Sequence, residues 1–227
     1  MSHTLGILIP YRDRKDHLDK FIPYMNDFFK KQNINYIILV IEQIDNKPFN
    51  RAKLLNIGFN LLKDRCDYFV FHDIDMLPEE TSDYSYCDAP THLAQRLEEL
   101  AFKNPTQGWG RYYKEYFGGV TMFNKEDFSK INGYSNNYWG WGKEDDDLRL
   151  RCIKEGLIIK TRQNLYYSLQ HSKTREKHPN FRDNWNNLNN LKSDNSKTHL
   201  KEGLNTLNYD FIDVEDNEGF IQVKVKV

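Results

Sequence analysis

The chain has 227 residues, with 32 basic and 33 acidic residues, and 14% of its residues are aromatic. This length suits one α/β domain, and the balanced charge excludes the one-sided positive surface that nucleic-acid binding normally requires. The longest apolar runs, such as residues 36–41, are far shorter than the roughly 20 residues of a membrane-spanning helix, and residues 1–5 carry no signal-peptide pattern. We therefore expect a cytoplasmic chain with no membrane span and no nucleic-acid partner.

Strands and helices alternate in the first third of the chain. Residues 4–10, 36–41 and 68–71 form apolar runs typical of buried strands, and residues 14–31 and 52–62 carry apolar side chains at helical spacing. This alternation predicts a parallel sheet with right-handed crossovers, in which ligands bind beyond the carboxyl ends of the strands. Functional residues are therefore expected in the clusters that follow these runs, at 11–14, 49–51 and 73–75.

The rest of the chain has a weaker pattern. Between residues 79 and 114 the only element predicted is a helix at 92–101. Further elements are predicted, in chain order, as a strand at 119–123, helices at 125–131 and 144–154, and a half-exposed strand at 220–227. The polar segment 171–197 is typical of either an ordered helix or a mobile flap.

Three cysteines occur, at positions 66, 87 and 152. An odd count without metal-ligand spacing favours free thiols in a reducing compartment, although a Cys66–Cys87 disulfide is also compatible with the sequence.

Asp73 and Asp75 directly follow the apolar run 68–71, so two carboxylates emerge at the end of a buried strand. Oxygen ligands of this kind suit Mg²⁺ or Mn²⁺, and such a cation bridges phosphate oxygens. Acidic residues also cap turns and helices in many proteins, so the pair alone is weak evidence. Its position after a buried strand favours the metal interpretation.

The segment from Trp139 to Asp147 is the most unusual in the chain, because two Trp-Gly pairs precede four acidic residues. A helix N-terminus favours acidic residues, which accounts for Asp146 and Asp147. It does not account for the tryptophans. Glycines allow the backbone to approach a ligand, indoles cover a sugar, and a carboxylate takes a proton from an attacking hydroxyl. We therefore interpret the segment as catalytic.

Six segments in this order resemble the β-1,4-galactosyltransferase family, whose members are inverting glycosyltransferases with the GT-A fold. They are Ile9-Pro10-Tyr11-Arg12-Asp13-Arg14, residues 49–59, residues 69–75, Tyr116-Phe117-Gly118-Gly119-Val120, residues 131–147 and Gly203-Leu204-Asn205. The resemblance implies a Rossmann-like, mostly parallel α/β sheet flanked by helices, with a C-terminal flap and strand region. It further implies one catalytic domain over 1–227, with a nucleotide-binding half at 1–78 and an acceptor and catalytic half at 79–227, whose flap spans about 172–190.

The resemblance also implies a role for each matching position. Uridine and diphosphate binding falls on Pro10, Tyr11, Arg12, Arg14, Phe49 and Arg51. Asp73 falls on an acid near the ribose and diphosphate, and Asp75 and His171 fall on ligands of Mn²⁺ or another divalent cation. Trp141 falls on a mobile residue that covers the donor. Tyr113 and Tyr116 fall on aromatic positions lining the acceptor and donor sugars.

The implied reaction moves galactose from UDP-galactose to a hydroxyl of a saccharide or glycoconjugate acceptor, forming a β-1,4 linkage. Asp145 falls on the general base, which also contacts the acceptor, and Glu144 falls on an acid contacting sugar hydroxyls. The chain departs from the family at Ser168-Leu169-Gln170, where a third protein ligand to the metal commonly occurs.

The sequence is also compatible with related functions. The same fold serves transferases of N-acetylgalactosamine, glucose or xylose, and a catalytically silent UDP-sugar-binding domain would show much of the same pattern. A nucleotidyltransferase also uses paired aspartates, but the sequence has no glycine-rich phosphate loop of the Walker type.

Overall fold

The computed structural model describes residues 3–94, 96–99, 116–169 and 179–227. Within these ranges the chain forms strands and helices that we number in chain order. The strands are β1 (Thr4–Tyr11), β2 (Asn35–Gln43), β3 (Tyr68–His72), β4 (Met76–Pro78), β5 (Thr91–His92), β6 (Arg96–Glu99), β7 (Val120–Asn124), β8 (Lys160–Thr161), β9 (Leu165–Ser168), β10 (Asp210–Asn217) and β11 (Phe220–Lys226). The helices are α1 (Lys15–Gln32), α2 (Arg51–Leu62), α3 (Lys125–Lys130), α4 (Glu144–Lys154) and α5 (Phe181–Ser193).

The main sheet has the strand order β10-β11-β2-β1-β3-β7-β5-β8. Its centre is parallel, because β1 pairs in parallel with both β2 and β3, while β7 runs antiparallel to β3. A smaller sheet has the order β4-β9-β6 and lies beyond the end of β3. The predicted α/β class with a mostly parallel central sheet is confirmed.

Helices cover both faces of the sheet, which follows from the alternation of side chains along β1. Ile7 and Ile9 pack in the same cluster as Phe21 of α1, whereas Leu8 packs with Leu54 of α2 on the opposite face. Burial on both faces explains why β1 is an uninterrupted apolar run. The carboxyl ends of β1, β2 and β3 are thereby held at one edge of the sheet.

The helix predicted at residues 92–101 is wrong. Thr91 and His92 form β5, which pairs with β7 and β8, and residues 96–99 form β6, which pairs in parallel with β9. Pairing with strands from distant parts of the chain overrides the local helical spacing. The sequence pattern also did not predict β10, because its residues lie on the sheet edge and almost all of them are exposed, so they show no apolar alternation.

The structure also decides the state of the cysteines and of the polar segment near the C-terminus. Cys66, Cys87 and Cys152 are all buried free thiols, so a Cys66–Cys87 disulfide is wrong. Part of the predicted flap lies outside the described residues, but its later portion forms the ordered helix α5, whose Leu188 and Leu191 are buried.

No helix in the described parts of the chain is long and apolar enough to cross a membrane.

Candidate active site

Arg14 and Asp75 meet at the carboxyl edge of the main sheet, where β1 and β3 end. The Arg14 guanidinium donates from Nη1 to Asp75 Oδ2 at 3.1 Å. Only 7% of Asp75 is exposed, so its carboxylate lies inside the protein rather than on its surface. Asp73 precedes it at the end of β3, and its backbone N–H donates to the carbonyl of Gly119. The predicted convergence of these side chains at one sheet edge is therefore observed.

Arg51 connects the end of β3 with the start of α4. Its Nε donates to Asp73 Oδ1 at 2.6 Å, and its Nη1 donates to Asp145 Oδ1 at 2.9 Å. The Glu144 carboxylate lies 4.0 Å from the same Nη1. Arg51 is the first residue of α2, and Asn50 caps this helix by accepting from the Lys53 N–H. The Arg51 guanidinium thus lies within 4.0 Å of three carboxylates, one at the end of β3 and two at the start of α4.

The first turn of α4 contains the four acidic residues, and their contacts divide them into three groups. Glu144 and Asp145 face Arg51. Asp147 turns into the protein instead, where it accepts from Arg151 Nε at 2.6 Å and from the Tyr138 hydroxyl at 2.9 Å. Asp146 pairs with Lys143 at 2.8 Å. Asp146 and Asp147 lie in the first turn of α4 as predicted, but the contacts described for them are with side chains rather than with backbone N–H groups.

Burial and neighbouring negative charge raise the pKa of the Asp145 carboxyl, and the Arg51 guanidinium opposes that rise. Burial also raises the pKa of Glu144, again against the effect of Arg51. A carboxylate with a raised pKa is a better proton acceptor. The ionised form of Asp145 is therefore a stronger proton acceptor than an ordinary aspartate.

Tyr116 lies beside these carboxylates. Although 36% of the residue is exposed, desolvation of its phenol, followed by the charges of Asp145, Asp73 and Asp75, raises the pKa of that group well above the ordinary value. The charges of Asp75 and Asp145, which are far apart in sequence, therefore both raise the pKa of the same hydroxyl. Gly118 lies directly under this group, since a Cβ atom there would collide with Asp145 Oδ2 and lie 2.8 Å from the Tyr116 ring.

The loop 139–142 crosses the site and is held from two sides. Gly140 donates its backbone N–H to the carbonyl of Phe49 at 2.7 Å and has a φ of 72°, a left-handed conformation that favours glycine. On the other side, the Trp141 indole stacks on Phe181 of α5, with ring centroids 5.9 Å apart and planes 17° from parallel. Trp141 remains 44% exposed. The loop thus connects the segment just before α2 with α5.

The predicted uridine-binding residues lie at the same sheet edge but differ in exposure. Pro10 is buried in β1 opposite Ile41, and Tyr11 belongs to the apolar cluster below α1. Arg12 donates from Nη1 to the Lys47 carbonyl at 2.7 Å, and its guanidinium carbon lies 5.3 Å from the centre of the Phe49 ring. Arg12 and Phe49 therefore form a cation–π pair beside the loop.

Two family models match most of the chain. The N-terminal region of glycosyl transferase group 7 matches residues 1–88, and the N-terminal domain of galactosyltransferase matches residues 98–175. The chain is 38% identical to β-1,4-galactosyltransferase 4 of Mus musculus over 97% of its length, and 35% identical to β-1,4-galactosyltransferase 1 of Homo sapiens over 99%. The chain belongs to the β-1,4-galactosyltransferase family. It spans 62% and 55%, respectively, of the lengths of these two relatives.

Solved structures of the family share the fold. The catalytic domain of Drosophila β-1,4-galactosyltransferase 7, in complex with xylobiose, superposes with a TM-score of 0.80 at 28% identity, covering 99% of this chain and 94% of that one. A variant of the same Drosophila protein, in complex with manganese, UDP-Gal and xylobiose, matches equally well. The expected GT-A fold is thereby confirmed.

Two residues expected from the family resemblance, Tyr113 and His171, lie outside the described residues. Leu169 lies two residues before His171 in the sequence, and its backbone N–H donates to the Asp75 carbonyl at 2.7 Å. Within the described ranges no group of three or more His, Cys, Asp or Glu side chains is arranged to hold a metal ion. The Asp75 carboxylate nevertheless suits a divalent cation, because it is buried and its oxygens are hard ligands.

Sequence reasoning missed a buried chain of hydrogen bonds behind Asp73. The Tyr166 hydroxyl donates to that of Tyr84 at 2.8 Å, which lies 2.9 Å from His72 Nε2. His72 Nδ1 lies 2.9 Å from the Asp73 carbonyl. Neutral His72, protonated on Nδ1, accepts from Tyr84 and donates to Asp73. His72 stands in a motif that sequence reasoning singled out, but no local signal indicated the two tyrosines.

Sequence reasoning also missed Asn184 of α5. Its side-chain oxygen accepts from the Trp139 N–H at 3.3 Å, and its amide donates to the carbonyls of Trp139 and Trp141 at 3.0 and 3.3 Å. Asn184 is buried, so these bonds fix the loop 139–142 to α5. A polar residue in an Asn-rich segment gives no sequence signal of such a role.

Proposed function

We propose that the chain is an inverting β-1,4-galactosyltransferase that transfers galactose from UDP-α-galactose to a hydroxyl of a saccharide or glycoconjugate. The observation that carries this proposal is the Arg51 bridge, which joins Asp73 at the end of β3 to Asp145 at the start of α4. It holds the proposed nucleotide-side acid and the proposed base on one guanidinium. The family relatives and the Drosophila structure with UDP-Gal support the choice of donor.

The donor is proposed to lie along the carboxyl edge of the main sheet. Pro10, Tyr11, Arg12, Arg14, Phe49 and Arg51 are the proposed uridine and diphosphate contacts, together with Asp73. In support, Arg12, just after β1, and Phe49, just before α2, already form a cation–π pair. Trp141 and Tyr116 are proposed to contact the donor sugar. These residues belong to a nucleotide-binding half at 1–78 and an acceptor and catalytic half at 79–227.

A divalent cation, Mn²⁺ or a close substitute, is proposed to be held by Asp75 together with His171. The hydrogen bond from Leu169 to the Asp75 carbonyl supports this pairing, because His171 follows Leu169 by two residues. When bound, such a cation neutralises charge on the departing diphosphate. The structure of Drosophila β-1,4-galactosyltransferase 7 with manganese supports the choice of metal.

Asp145 is the proposed general base. Its carboxylate takes the proton of the acceptor hydroxyl while the hydroxyl oxygen forms a bond to the anomeric carbon and the bond from that carbon to the diphosphate breaks. Attack opposite the leaving group converts an α-linked donor into a β-linked product. Arg51 orients Asp145 and opposes the rise in its pKa before the acceptor arrives. Glu144 is proposed to bind sugar hydroxyls, and Tyr113 to line the acceptor.

The direct test measures UDP release from UDP-galactose with Mn²⁺ and a panel of acceptor sugars, followed by NMR assignment of the new linkage. We expect a β-1,4 product, loss of activity in excess EDTA, and recovery best with Mn²⁺. Full activity in EDTA would contradict the metal assignment. No UDP release with any acceptor, alongside normal UDP binding, would instead identify a catalytically silent UDP-sugar-binding domain.

Donor choice is tested at Tyr116 by comparing UDP-galactose with the UDP derivatives of N-acetylgalactosamine, glucose and xylose. Tyr116→Leu is expected to lose the preference for galactose over N-acetylgalactosamine, because the smaller side chain leaves room for the acetamido group. Tyr86→Leu serves as the control, since Tyr86 is similarly exposed but stacks on His3. A wild-type preference for another donor would replace galactose in the proposal.

A further inference from the structure

Lys143 has an unusual backbone conformation for its residue type. Its φ is 81° and its ψ is −8°, and it immediately precedes α4. The two glycines of the same segment, Gly140 and Gly142, also have positive φ values. A side chain in this region brings Cβ close to the carbonyl oxygen, so only surrounding contacts stabilise a lysine here.

The contacts of the Lys143 ammonium explain how this conformation is held. Its Nζ donates to Asp146 Oδ2 at 2.8 Å and lies 4.2 Å from the centre of the Trp185 ring. Trp185 belongs to α5, and only 16% of the Lys143 side chain is exposed. A cation at this distance from an indole forms a cation–π contact. Lys143 therefore joins the first turn of α4 to α5.

The other contacts between α5 and this segment lie on its N-terminal side. Phe181 stacks on Trp141, and Asn184 binds the backbone of Trp139 and Trp141. Lys143 lies on the C-terminal side, directly before Glu144 and Asp145. The helix α5 thus holds the loop 139–142 at both of its ends.

We propose that Lys143 is a positioning residue that, through Trp185, makes the loop 139–142 and α5 behave as one unit beside Asp145. This inference rests on the proposed function for its catalytic consequence. Without the contact, the loop loosens and Trp141 excludes water less well from the donor. Because water competes with the acceptor hydroxyl for the anomeric carbon, the ratio of transfer to donor hydrolysis falls.

Hydrogen exchange tests the inference independently of activity. The variants are Lys143→Gly, Trp185→Ala and the conservative Lys143→Arg, with Lys192→Ala as the matched control. Lys192 is an exposed cation that also contacts the Trp185 ring, at 5.5 Å, but does not belong to the loop. We expect amides in residues 140–147 to exchange at least tenfold faster in Lys143→Gly and Trp185→Ala, and near the wild-type rate in the other two.

Unchanged exchange in Trp185→Ala would overturn the proposal, because this variant removes the contact while leaving the backbone residue at position 143 intact. Faster exchange in Lys192→Ala to the same extent would also overturn it, since the effect on the loop would then not be specific to Lys143. A melting temperature within a few degrees of the wild type identifies variants that remain folded.

The catalytic readout is UDP release with and without a saturating acceptor. Lys143→Gly and Trp185→Ala are expected to lower the transfer-to-hydrolysis ratio at least fivefold while the Kd for UDP changes less than twofold. A ratio equal to that of the wild type would overturn the catalytic role of the contact. If the wild type turns over no UDP-hexose, the proposed function fails, whereas the exchange rates still decide whether Lys143 holds the loop.

Discussion

Arg51 and Asp145 are 94 positions apart in sequence, yet Arg51 Nη1 lies 2.9 Å from Asp145 Oδ1. The same guanidinium binds Asp73 through Nε, and its side chain is only 11% exposed. Carboxylates of both segments therefore share one buried cation, which offsets their mutual repulsion. This bridge relates the end of β3 to the start of α4 more directly than any other described contact.

Replacing Arg51 by Met is expected to shift the pH dependence of kcat. Arg51 lowers the pKa of Asp145 against the effect of burial, so its loss raises that pKa further. The proposed mechanism requires ionised Asp145, so activity at low pH is expected to fall. The acid limb of the kcat profile, measured at saturating donor and acceptor, should move to higher pH. Arg65→Met, at an exposed arginine, is the control, and an unmoved acid limb in Arg51→Met would exclude the proposed coupling.

Asp145→Asn is expected to lower kcat by about 100-fold or more, in line with general-base contributions. UDP binding should change little, since the amide keeps the shape of the side chain. Calorimetry with UDP and steady-state kinetics measure the two quantities. Asp16→Asn is the matched control, because Asp16 is an exposed acid in the first turn of α1. Turnover within a few-fold of the wild type would remove Asp145 from the role of base.

Gly118→Ala is expected to abolish most activity while the protein stays folded. The added methyl group would meet Asp145 Oδ2 and the Tyr116 ring, so one of the two side chains must leave its position. Gly156→Ala is the control, since nothing lies within 4 Å of its Cβ but its φ is 70°. We expect this control to lose about 1 kcal/mol of stability through backbone strain and to keep its activity. Normal turnover by Gly118→Ala would show that Asp145 is free to shift.

Stability should fall as the pH drops from about 6.5 towards 4. Burial lowers the pKa of both His72 and His92 to about 4. Between that value and the ordinary value of 6.5 the unfolded chain binds more protons than the folded one, so stability rises with pH in this window and is fully present above it. Each histidine accounts for roughly 1 to 3 kcal/mol. Urea unfolding at pH 7 and pH 5 measures the difference.

The pH effect is assigned by variants. His92→Gln is expected to reduce the difference in unfolding free energy between pH 7 and pH 5, because the group that must charge on unfolding is gone. His3→Gln, at an exposed histidine, should leave the difference unchanged. A stability that is flat from pH 7 to pH 5 would contradict the proposed burial of neutral imidazoles.

The first third of the chain folds as its local pattern predicts. The alternating apolar runs predicted β1, α1, β2, α2 and β3 to within two residues at each end, because each of these elements buries a face of its own. The pattern failed where burial does not mark the element. β10 is exposed along its length, and β5 and β6 are short strands that exist only through their distant partners.

The sequence by itself determined which chemical groups follow each strand, since Asp73, Asp75 and the acids of α4 are recognised by type and spacing. Only the tertiary structure decided that Arg51 serves Asp73 and Asp145 together, that Asp147 turns inward to Arg151, and that α5 holds the loop 139–142. The physical reason is the sequence distance over which each signal acts. The periodicity of apolar residues reports which face a single element buries. A contact between residues 94 positions apart forms only when the folded sheet brings their segments together.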